Sequence, residues 1–535
     1  MTSENGWFPR STRRMVRLMS APAPLREPRP RLNPSEFDRR VLDRARASRD
    51  PRFDGRFFVG VTSTGIYCRP VCPAPSPRRA HVRYFSTAAA AAEAGFRPCL
   101  RCRPEAAPGT PAWLGTSAVV RRALRLIDDG TLDDQSVDDF AARVGIGARH
   151  LHRLFVRHVG ASPIAVVQTR RLHFAKRLLD ETPLRMTEIA LAAGFGSSRR
   201  FNDAFQRTYG RSPRELRKDG ERAASNGSGA IRLRLAYRPP YDWPFVHGFL
   251  AARAIPGLER VDDGAYARTI ALEGPAANVA PGHATLRVCP VAGRHELELS
   301  VHGAPASALF QIVLAARRVF DLRADPALTS RAFRGDPLLG PLVRRRPGLR
   351  VPGVWDPFEC AVRAVLGQQV SVAAGKTLAS RLVARAGRTL AAGPGDSTGG
   401  GRERDRLTHA FPTPEALAEI DLSGLGITGA RIATIRTLAR AIAERTLDFR
   451  APADEVAIAL EALRGIGPWT AHYIALRALG EPDAFPAADV VLRRMAAAGG
   501  QSLSARALAA RAQSWRPWRS YAALHLWCAA EESRT

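Results

Sequence analysis

The chain has 535 residues, with 80 Lys and Arg against 50 Asp and Glu, so its formal net charge is +30 at pH 7. This length exceeds what a single hydrophobic core usually holds and predicts several domains. No run of about 18 apolar residues occurs, so we expect no membrane-spanning helix. The charge favours a polyanionic partner, although an arginine-rich composition with only three lysines (Lys176, Lys218 and Lys376) also follows from GC-rich coding.

Residues 1–33 carry scattered arginines and prolines without an apolar segment, which predicts a disordered basic leader. Two close cysteine pairs follow in segment 34–106, in the pattern Cys68-x3-Cys72 and Cys99-x2-Cys102. This spacing suits a tetrahedral Zn²⁺ with four sulfur ligands. Two disulfides are an alternative, but no secretory signal precedes the pairs and a long chain needs no covalent staples. A purely structural zinc knuckle is the other alternative.

The residues around the cysteines resemble the amino-terminal domain of the bacterial Ada family, through DGRFF at 54–58, TGIYCRPVC at 64–72 and AGFRPCLRC at 94–102. The resemblance implies a small α/β zinc-binding domain over 34–106. It also implies that Cys68 accepts the methyl group of a DNA methylphosphotriester, while Cys72, Cys99 and Cys102 complete the Zn²⁺ site. A metal-bound thiolate is a strong, soft nucleophile, which suits this chemistry. The sequence departs from the family after Cys72, where Pro and Ala replace a basic stretch.

Helical periodicity appears twice in segment 117–218. In the first instance Ser136 and Asp139 form a capping-box pattern, an apolar helix face follows, and Gly145 ends the helix. The same pattern returns from Met186 and ends at Gly194. Two helix-turn-helix units are predicted, because a short glycine-containing turn joins two packed helices in each. Periodicity alone also permits a plain helical bundle.

The text IALAAGF at 189–195 and FNDAFQRTYGRSP at 201–213 resembles the carboxy-terminal signature of AraC-family regulators. The resemblance covers about 117–218 and implies an all-α DNA-binding domain in which each second helix enters the major groove. The side chains expected to contact DNA are Arg149, His152, Arg153, Arg199 and Arg200. Most of them should contact phosphates, and only a few should read bases.

A polar, Gly/Ser-rich linker is predicted at 219–230, followed by strands over 231–345 and helices over 346–530. The stretch LRGIGPWTA at 463–471 is a helix-hairpin-helix motif. Its Gly465 and Gly467 allow a tight turn close to a phosphate, and Pro468 suits the first turn of the next helix. Asp489 follows after one further helix. This order matches the helix-hairpin-helix superfamily of DNA glycosylases.

The whole of 231–530 resembles the AlkA 3-methyladenine DNA glycosylase family, through PPYDW at 239–243, GQQVSV at 367–372 and WRPWRSY at 515–521. The resemblance implies an antiparallel-sheet subdomain over 231–345 and an all-α catalytic domain over 346–530, with a Gly-rich inserted loop at 387–406. It assigns catalysis to Asp489 and DNA contacts to Gln368 and Gln369, where Gln369 replaces a wedge leucine. The implied base pocket consists of Phe249, Trp469, Tyr473 and Trp527. Core packing is the alternative for each ring.

Alkylation at a ring nitrogen makes a purine cationic and a good leaving group. The enzyme then mainly needs a carboxylate beside the oxocarbenium-like sugar, which Asp489 would supply. Strand-cutting members of the superfamily carry a lysine where this chain has Trp469, so we expect a monofunctional glycosylase. The Pro-Cys-His-Arg motif of O6-alkylguanine transferases is absent, and Cys289, Cys360 and Cys528 are expected to be core residues.

These patterns predict a multidomain α+β protein that takes methyl groups from DNA phosphotriesters, activates repair genes and excises alkylated bases. Zn²⁺ is the expected cofactor. Double-stranded DNA is the expected partner, at alkylated sites and at a promoter, together with RNA polymerase. We expect a monomer in the cytoplasm, associated with the nucleoid. One alternative is a regulator whose glycosylase half is only a DNA-binding scaffold; another is an enzyme that its zinc and helix-turn-helix parts merely anchor.

Overall fold

The computed structural model describes residues 39–108, 118–128, 130–132, 135–218, 230–262, 264–272, 282–390, 406–497 and 501–533. The predicted leader, nearly all of the predicted linker and most of the predicted Gly-rich insertion lie outside these residues. Within the described ranges, no helix combines the length and the apolar character that crossing a membrane requires.

The first domain is a small four-stranded sheet with two flanking helices. Its elements are α1 (Arg39–Ala47), β1 (Phe58–Val61), β2 (Ile66–Cys68), β3 (Val82–Phe85), α2 (Ala88–Glu93) and β4 (Arg97–Pro98). The strands lie in the order β3-β1-β2-β4, and β4 runs parallel to β2 while the other pairs are antiparallel. Phe58, Tyr67 and Phe96 are buried together in its core.

The second domain is helical. Its elements are α3 (Ala118–Asp128), α4 (Val137–Val144), α5 (Ala148–His158), α6 (Pro163–Glu181), α7 (Met186–Ala192), α8 (Ser198–Tyr209) and α9 (Pro213–Lys218). Ser136 caps α4 by accepting the amide of Asp139, and Gly145, with φ of 88°, ends it. Helices α4 and α5 form the first predicted helix-turn-helix unit, α7 and α8 form the second, and the long α6 joins them.

The third part is an antiparallel sheet with two helices. Its elements are β5 (Ile231–Ala236), α10 (Trp243–Ala251), β6 (Glu259–Asp262), β7 (Ala265–Leu272), β8 (Gly282–Pro290), β9 (Glu296–His302) and α11 (Leu309–Val319). The strand order is β5-β9-β8-β7-β6. This arrangement is that of the predicted antiparallel-sheet subdomain, but the helices at Pro326–Phe333 and Leu339–Arg345, which the predicted bounds of 231–345 include, contribute to the core of the following helical domain.

The helix-turn-helix domain and this sheet share one hydrophobic cluster. Phe174 of α6 and Phe205 of α8 belong to the same buried cluster as Leu299 of β9 and Val313 of α11. The rings of Phe174 and Phe310 meet edge to face, with centroids 5.0 Å apart. The two domains are therefore packed against each other and not only tethered by the segment between them.

The last part is a helical domain with its own core. Its elements are α12 (Pro326–Phe333), α13 (Leu339–Arg345), α14 (Pro357–Leu366), α15 (Val372–Ala386), β10 (Arg388–Thr389), β11 (His409–Ala410), α16 (Pro414–Glu419), α17 (Gly429–Ala443), α18 (Ala453–Glu461), α19 (Pro468–Arg477), α20 (Val490–Met495), α21 (Ala505–Arg511) and α22 (Arg519–Glu532). The four parts together confirm the predicted fold class.

Candidate metal centre and candidate active site

The four predicted ligand cysteines lie together. Cys68 ends β2, and Cys99 directly follows β4, the strand that pairs in parallel with β2. The amide of Cys99 donates to the carbonyl of Tyr67 at 3.0 Å, which holds the two strand ends in register. The sulfurs of all four cysteines, including Cys72 and Cys102, lie within 4.8 Å of one another. This separation accommodates a tetrahedral Zn²⁺, whose ligand sulfurs stand about 3.8 Å apart when Zn–S is about 2.3 Å.

The chemistry of this donor set fits a bound cation. None of the four cysteines forms a disulfide in the structure. Contacts with Cys68 and the other two thiols, together with burial, raise the pKa of Cys102. Four thiols at this distance cannot all ionise without a compensating positive charge, because each thiolate disfavours the next. The cluster therefore fits a metal that binds thiolates, as Zn²⁺ does.

Arg69 supports the cysteine cluster from beside Cys68. Its amide donates to the sulfur of Cys102 at 3.3 Å, and its guanidinium donates to the Cys102 carbonyl at 3.1 Å. The guanidinium also binds the buried carboxylate of Asp54, with Nε 2.9 Å from Oδ1. Arg69, which follows Cys68 of the first pair, thus joins that pair to Cys102 of the second pair by hydrogen bonds, in addition to the shared metal site.

In the helix-turn-helix domain, all of the side chains that are expected to contact DNA are exposed. Arg149, His152 and Arg153 lie on the outer face of α5, whose inner face buries other residues. Arg199 and Arg200 lie in the first turn of α8, which Ser197 caps. Each group follows the turn of its unit, as the sequence predicts.

The predicted hairpin lies between α18 and α19 and is exposed to solvent at both glycines. Gly465 has φ of 93°, and a Cβ at this position would lie 2.0 Å from the hydroxyl of Thr434. Gly467 is the residue before α19, and a Cβ there would meet open space. Gly465 is therefore needed for the fold of the turn, whereas Gly467 leaves the helix start open to an approaching anion.

Gln368 and Gln369 lie in the turn between α14 and α15 and differ in surroundings. The amide of Gln368 donates to the carbonyl of Gly465 at 2.9 Å and to Thr470 Oγ1 at 3.1 Å, so it ties this turn to the hairpin. Gln369 is exposed and has φ of 54°, an unusual conformation for a residue with a side chain. The exposed Val370 and Val372 follow it in the chain. The tip of this turn is thus partly apolar.

Asp489 is held by three donors. The indole N–H of Trp469 donates to Oδ2 at 2.8 Å, and that of Trp527 donates to Oδ1 at 3.2 Å. The amide of Leu492 also donates to Oδ1, at 2.9 Å, because Asp489 caps α20. Its side chain is nearly buried, while the next residue, Val490, is 69% exposed. The carboxylate is therefore fixed in orientation at the edge of the protein surface.

Three of the four predicted pocket rings form a cluster around this carboxylate. Trp469 and Tyr473 stack at 5.3 Å with an interplanar angle of 10°, and Trp527 lies edge to face with Tyr473 at 6.3 Å. Phe249 joins them through Arg477, whose guanidinium carbon lies 4.6 Å from the Phe249 centroid and 5.6 Å from the Tyr473 centroid.

The two arginines beside Phe249 were missed by the sequence analysis. Arg253 lies over the Phe249 ring at 3.7 Å, and Arg477 donates to the hydroxyl of Tyr473 at 2.7 Å. Each arginine follows its ring by four residues, and this spacing could have indicated the contact. Tyr473 and Arg477 both lie on α19, whereas Arg253 lies just beyond the end of α10.

Family models match four consecutive parts of the chain. They are the metal binding domain of Ada at 42–105, a helix-turn-helix domain at 140–219, the AlkA N-terminal domain at 232–356 and the HhH-GPD superfamily base excision DNA repair protein at 362–520. The protein is thus of the class in which an Ada-type metal-binding domain and a helix-turn-helix domain precede a DNA glycosylase. The cysteine cluster within the first match confirms Zn²⁺ as the cofactor.

One relative covers nearly the whole chain. The probable bifunctional transcriptional activator/DNA repair enzyme AlkA of Mycobacterium tuberculosis is 44% identical over 496 residues, which are 91% of this chain and 96% of that protein. The chain belongs to the family of bifunctional transcriptional activator/DNA repair enzymes that this relative represents.

Two Escherichia coli proteins match separate halves of the chain. DNA-3-methyladenine glycosylase 2 is 35% identical over 300 residues, which are 55% of this chain and 95% of that protein. The bifunctional transcriptional activator/DNA repair enzyme Ada is 35% identical over 177 residues, which are 33% of this chain and 48% of that protein. These matches confirm the predicted resemblances to the Ada and AlkA families.

Proposed function

We propose that this protein senses and repairs alkylated DNA through three activities. It excises 3-methyladenine and related alkylated bases by hydrolysis of the N-glycosidic bond. It accepts methyl groups from DNA methylphosphotriesters on Cys68, once per molecule. It also activates transcription of repair genes through its helix-turn-helix units. Membership of the family supports the combination, and the geometry of two sites supports the specific chemistry.

The main support for base excision is the orientation of the Asp489 carboxylate by two indole donors of the aromatic cluster. When the C1′–N bond breaks, its electron pair leaves with the base and the sugar gains oxocarbenium character. A carboxylate held beside that sugar stabilises the developing positive charge. A water molecule then adds to C1′, and its proton is lost to solvent.

The aromatic cluster suits the base that leaves. An alkylated purine is cationic, and electron-rich ring faces attract cations. The parallel pair of Trp469 and Tyr473 offers such a face next to Asp489. The base reaches it only when flipped out of the duplex, and the exposed tip at Gln369 is placed to fill the gap that remains. With Trp469 in place of a lysine, the reaction ends at an abasic site.

Methyl transfer to Cys68 is a direct displacement. The sulfur attacks the methyl carbon, the methyl–oxygen bond breaks, and its electron pair stays on the phosphate as a restored phosphodiester. When bound, Zn²⁺ keeps the four sulfurs deprotonated at neutral pH. Cys68, Cys72 and Cys99 are partly exposed, whereas Cys102 is buried, so exposure disfavours only Cys102 as the sulfur that meets DNA, and the resemblance to the Ada family assigns this role to Cys68. The thioether that forms does not turn over.

The exposed arginines of α5 and α8 support binding of double-stranded DNA at a promoter, with RNA polymerase as a further partner. We place the protein in the cytoplasm, at the nucleoid, as a monomer. Gel filtration with and without promoter DNA tests the monomer.

The Asp489→Asn variant tests base excision. Asparagine is also a good helix cap, so α20 should be kept while the negative charge is lost. We expect loss of 3-methyladenine release with retained binding of alkylated duplex, measured on the same DNA by chromatography of free bases and by gel shift. Undiminished release would remove Asp489 from the mechanism.

Mass spectrometry of the cysteine peptides after the same incubation tests methyl transfer. A methyl group on Cys72, Cys99 or Cys102 in place of Cys68 would overturn that assignment. Borohydride trapping of an enzyme–DNA adduct would contradict the monofunctional reaction.

A further inference from the structure

The zinc-binding domain and the helical glycosylase domain meet through a buried ion pair. Arg56 lies two residues before β1, and Asp325 lies directly before α12. Their side chains form a salt bridge and are only 2% and 1% exposed. Asp325 also caps α12, because its carboxylate accepts the amide of Ala327 at 3.1 Å. We refer to this ion pair and its surroundings as the Arg56–Asp325 interface.

The backbone around Arg56 fits closely against the glycosylase. Gly55 has φ of 71°, and a Cβ there would lie 2.6 Å from the carbonyl of Pro108 and 2.9 Å from Nη2 of Arg238. The fully buried Arg238 donates to Pro108 at 2.9 Å and to the carbonyl of Arg323 at 3.0 Å. Two buried cations, Arg56 and Arg238, and a glycine that leaves no room for a Cβ lie at this contact, so the two parts of the chain are closely packed here.

The same short segment is anchored to the cysteine cluster at its other end. Asp54 binds the guanidinium of Arg69, and Arg69 donates to both the sulfur and the carbonyl of Cys102. Residues 54–56 thus run from the metal site to the glycosylase without an intervening flexible stretch. Loss of order in the cysteine cluster should therefore also change the position of Arg56.

We propose that the glycosylase surface around Asp325 is an interaction surface for the zinc-binding domain, and that Zn²⁺ thereby stabilises the glycosylase half. Zinc binding orders small metal domains, because their ligands hold no fixed geometry without it. Loss of that order withdraws Arg56, the cation that pairs directly with the buried carboxylate of Asp325, and leaves only the neighbouring Arg238 near it, which is destabilising. Helix α12 then opens. This inference rests on zinc ligation alone and is independent of methyl transfer and base excision.

Variants of the full chain test the ion pair. In Arg56→Met, amide hydrogen exchange within 326–333 should rise by about a hundredfold or more, since a buried charge loses its partner. The double variant Arg56→Met/Asp325→Asn should restore slow exchange, because the buried charge is removed while the asparagine still caps α12. Arg79→Met is the matched control, since Arg79 pairs with Asp43 but is 64% exposed; it should leave exchange in 326–333 unchanged.

Removal of the metal tests the link to zinc. After chelation of wild-type protein with EDTA, exchange should rise both in β1 and β2 and in 326–333. In the double variant Arg56→Met/Asp325→Asn the rise should be confined to the zinc-binding domain. Unchanged exchange in 326–333 after chelation, or equal exchange in the single and double Arg56 variants, would overturn the proposal. Loss of methyl transfer or of base excision with normal exchange would concern only the proposed function.

Discussion

The indole of Trp469 serves two contacts that a smaller ring could not make together. Its face stacks on Tyr473, and its N–H fixes one oxygen of Asp489. In the proposed mechanism the aromatic cluster receives the substrate base, whereas the N–H of Trp469 orients the carboxylate that acts on the sugar. These contributions can be separated by substitution.

Replacement of Trp469 by phenylalanine should keep the aromatic face and remove the hydrogen bond. A hydrogen bond to a charged group contributes about 1.5–3 kcal/mol, so kcat for 3-methyladenine release should fall about 10- to 100-fold, with little change in KM. Single-turnover kinetics on a defined duplex measures both.

Trp527→Phe is the matched comparison for that variant. In the wild type the indole N–H of Trp527 lies farther from the Asp489 carboxylate than that of Trp469, at 3.2 Å, and it donates to an oxygen that also accepts the amide of Leu492. The effect on kcat should therefore be smaller. A wild-type kcat in Trp469→Phe would show that orientation of Asp489 by this indole is unimportant.

Among the structural elements, the hairpin between α18 and α19 contains two glycines with different functions. Gly465→Ala should lower the melting temperature, because its positive φ and the contact with Thr434 leave no room for a Cβ. Gly467→Ala should fold normally and weaken DNA binding, because the added methyl lies where a phosphate approaches the helix start. Thermal unfolding and gel shift on the same two proteins separate the effects. Equal DNA affinity for Gly467→Ala and wild type would argue against phosphate binding at this hairpin.

Helix α22, which carries Trp527, also carries a buried histidine. Burial lowers the pKa of His525 to about 4, with a further contribution from the positive charge of Arg346. The unfolded chain binds this proton near pH 6.5, whereas the folded protein binds it only near pH 4. Stability should therefore fall as the pH decreases from about 6.5 to about 4, by on the order of 3 kcal/mol.

The His525→Gln variant should lack this part of the pH dependence. Urea unfolding followed by tryptophan fluorescence at several pH values measures it, with the exposed His150→Gln as the control. A profile of His525→Gln that parallels wild type between pH 6.5 and 4 would assign the loss of stability to other groups.

Elements defined by local patterns were predicted well from the sequence. The turns at Gly145 and Gly194 and the hairpin at Gly465 follow from residues that are neighbours in the chain. The partners of Asp489 were not predictable, because Trp527 approaches it from a different helix. Phe249 was expected to belong to one pocket with the other rings, and the structure links it to Tyr473 through Arg477. No short-range pattern predicts that link, because Arg477 and Phe249 are far apart in the sequence.

For the whole molecule, methylation of Cys68 should change DNA binding through charge. Zn²⁺ with four thiolates carries a formal charge of −2, which repels phosphates, and conversion of one thiolate to a thioether leaves −1. One charge near DNA at an effective dielectric constant near 20 amounts to about 1–4 kcal/mol, or roughly 5- to 1,000-fold in affinity. Methylated protein should therefore bind the promoter more tightly, and the gain should shrink as salt rises.

Binding of methylated and unmethylated protein to one promoter fragment across a salt series tests this prediction. Equal affinity at low salt would leave the zinc-binding domain without a sensing role. The Cys68→Ser variant, treated with the same methylated DNA, provides the control, because it should show no gain after treatment.

The composition of 219–230 predicts a linker, but it could not show whether the domains on either side of that linker contact each other. The composition of a Gly/Ser-rich segment indicates how that segment behaves, but it gives no information about the surfaces of the domains that the segment connects. Those surfaces are set by side chains far from the linker, such as Phe174 against Phe310 and Arg56 against Asp325. Only the folded chain brings them together.

The hydrophobic cluster shared by the second helix-turn-helix unit and the sheet has a consequence for synthesis of the chain. Phe174, Phe201 and Phe205 leave the ribosome before any strand of the sheet exists. At about 5–20 residues per second, the roughly 100 residues from α9 to the end of α11 require about 5–20 s. For that time Phe174 lacks Phe310, the aromatic ring of α11 that it contacts in the folded protein. The packing of the helix-turn-helix domain against the sheet can therefore form only after α11 has been made.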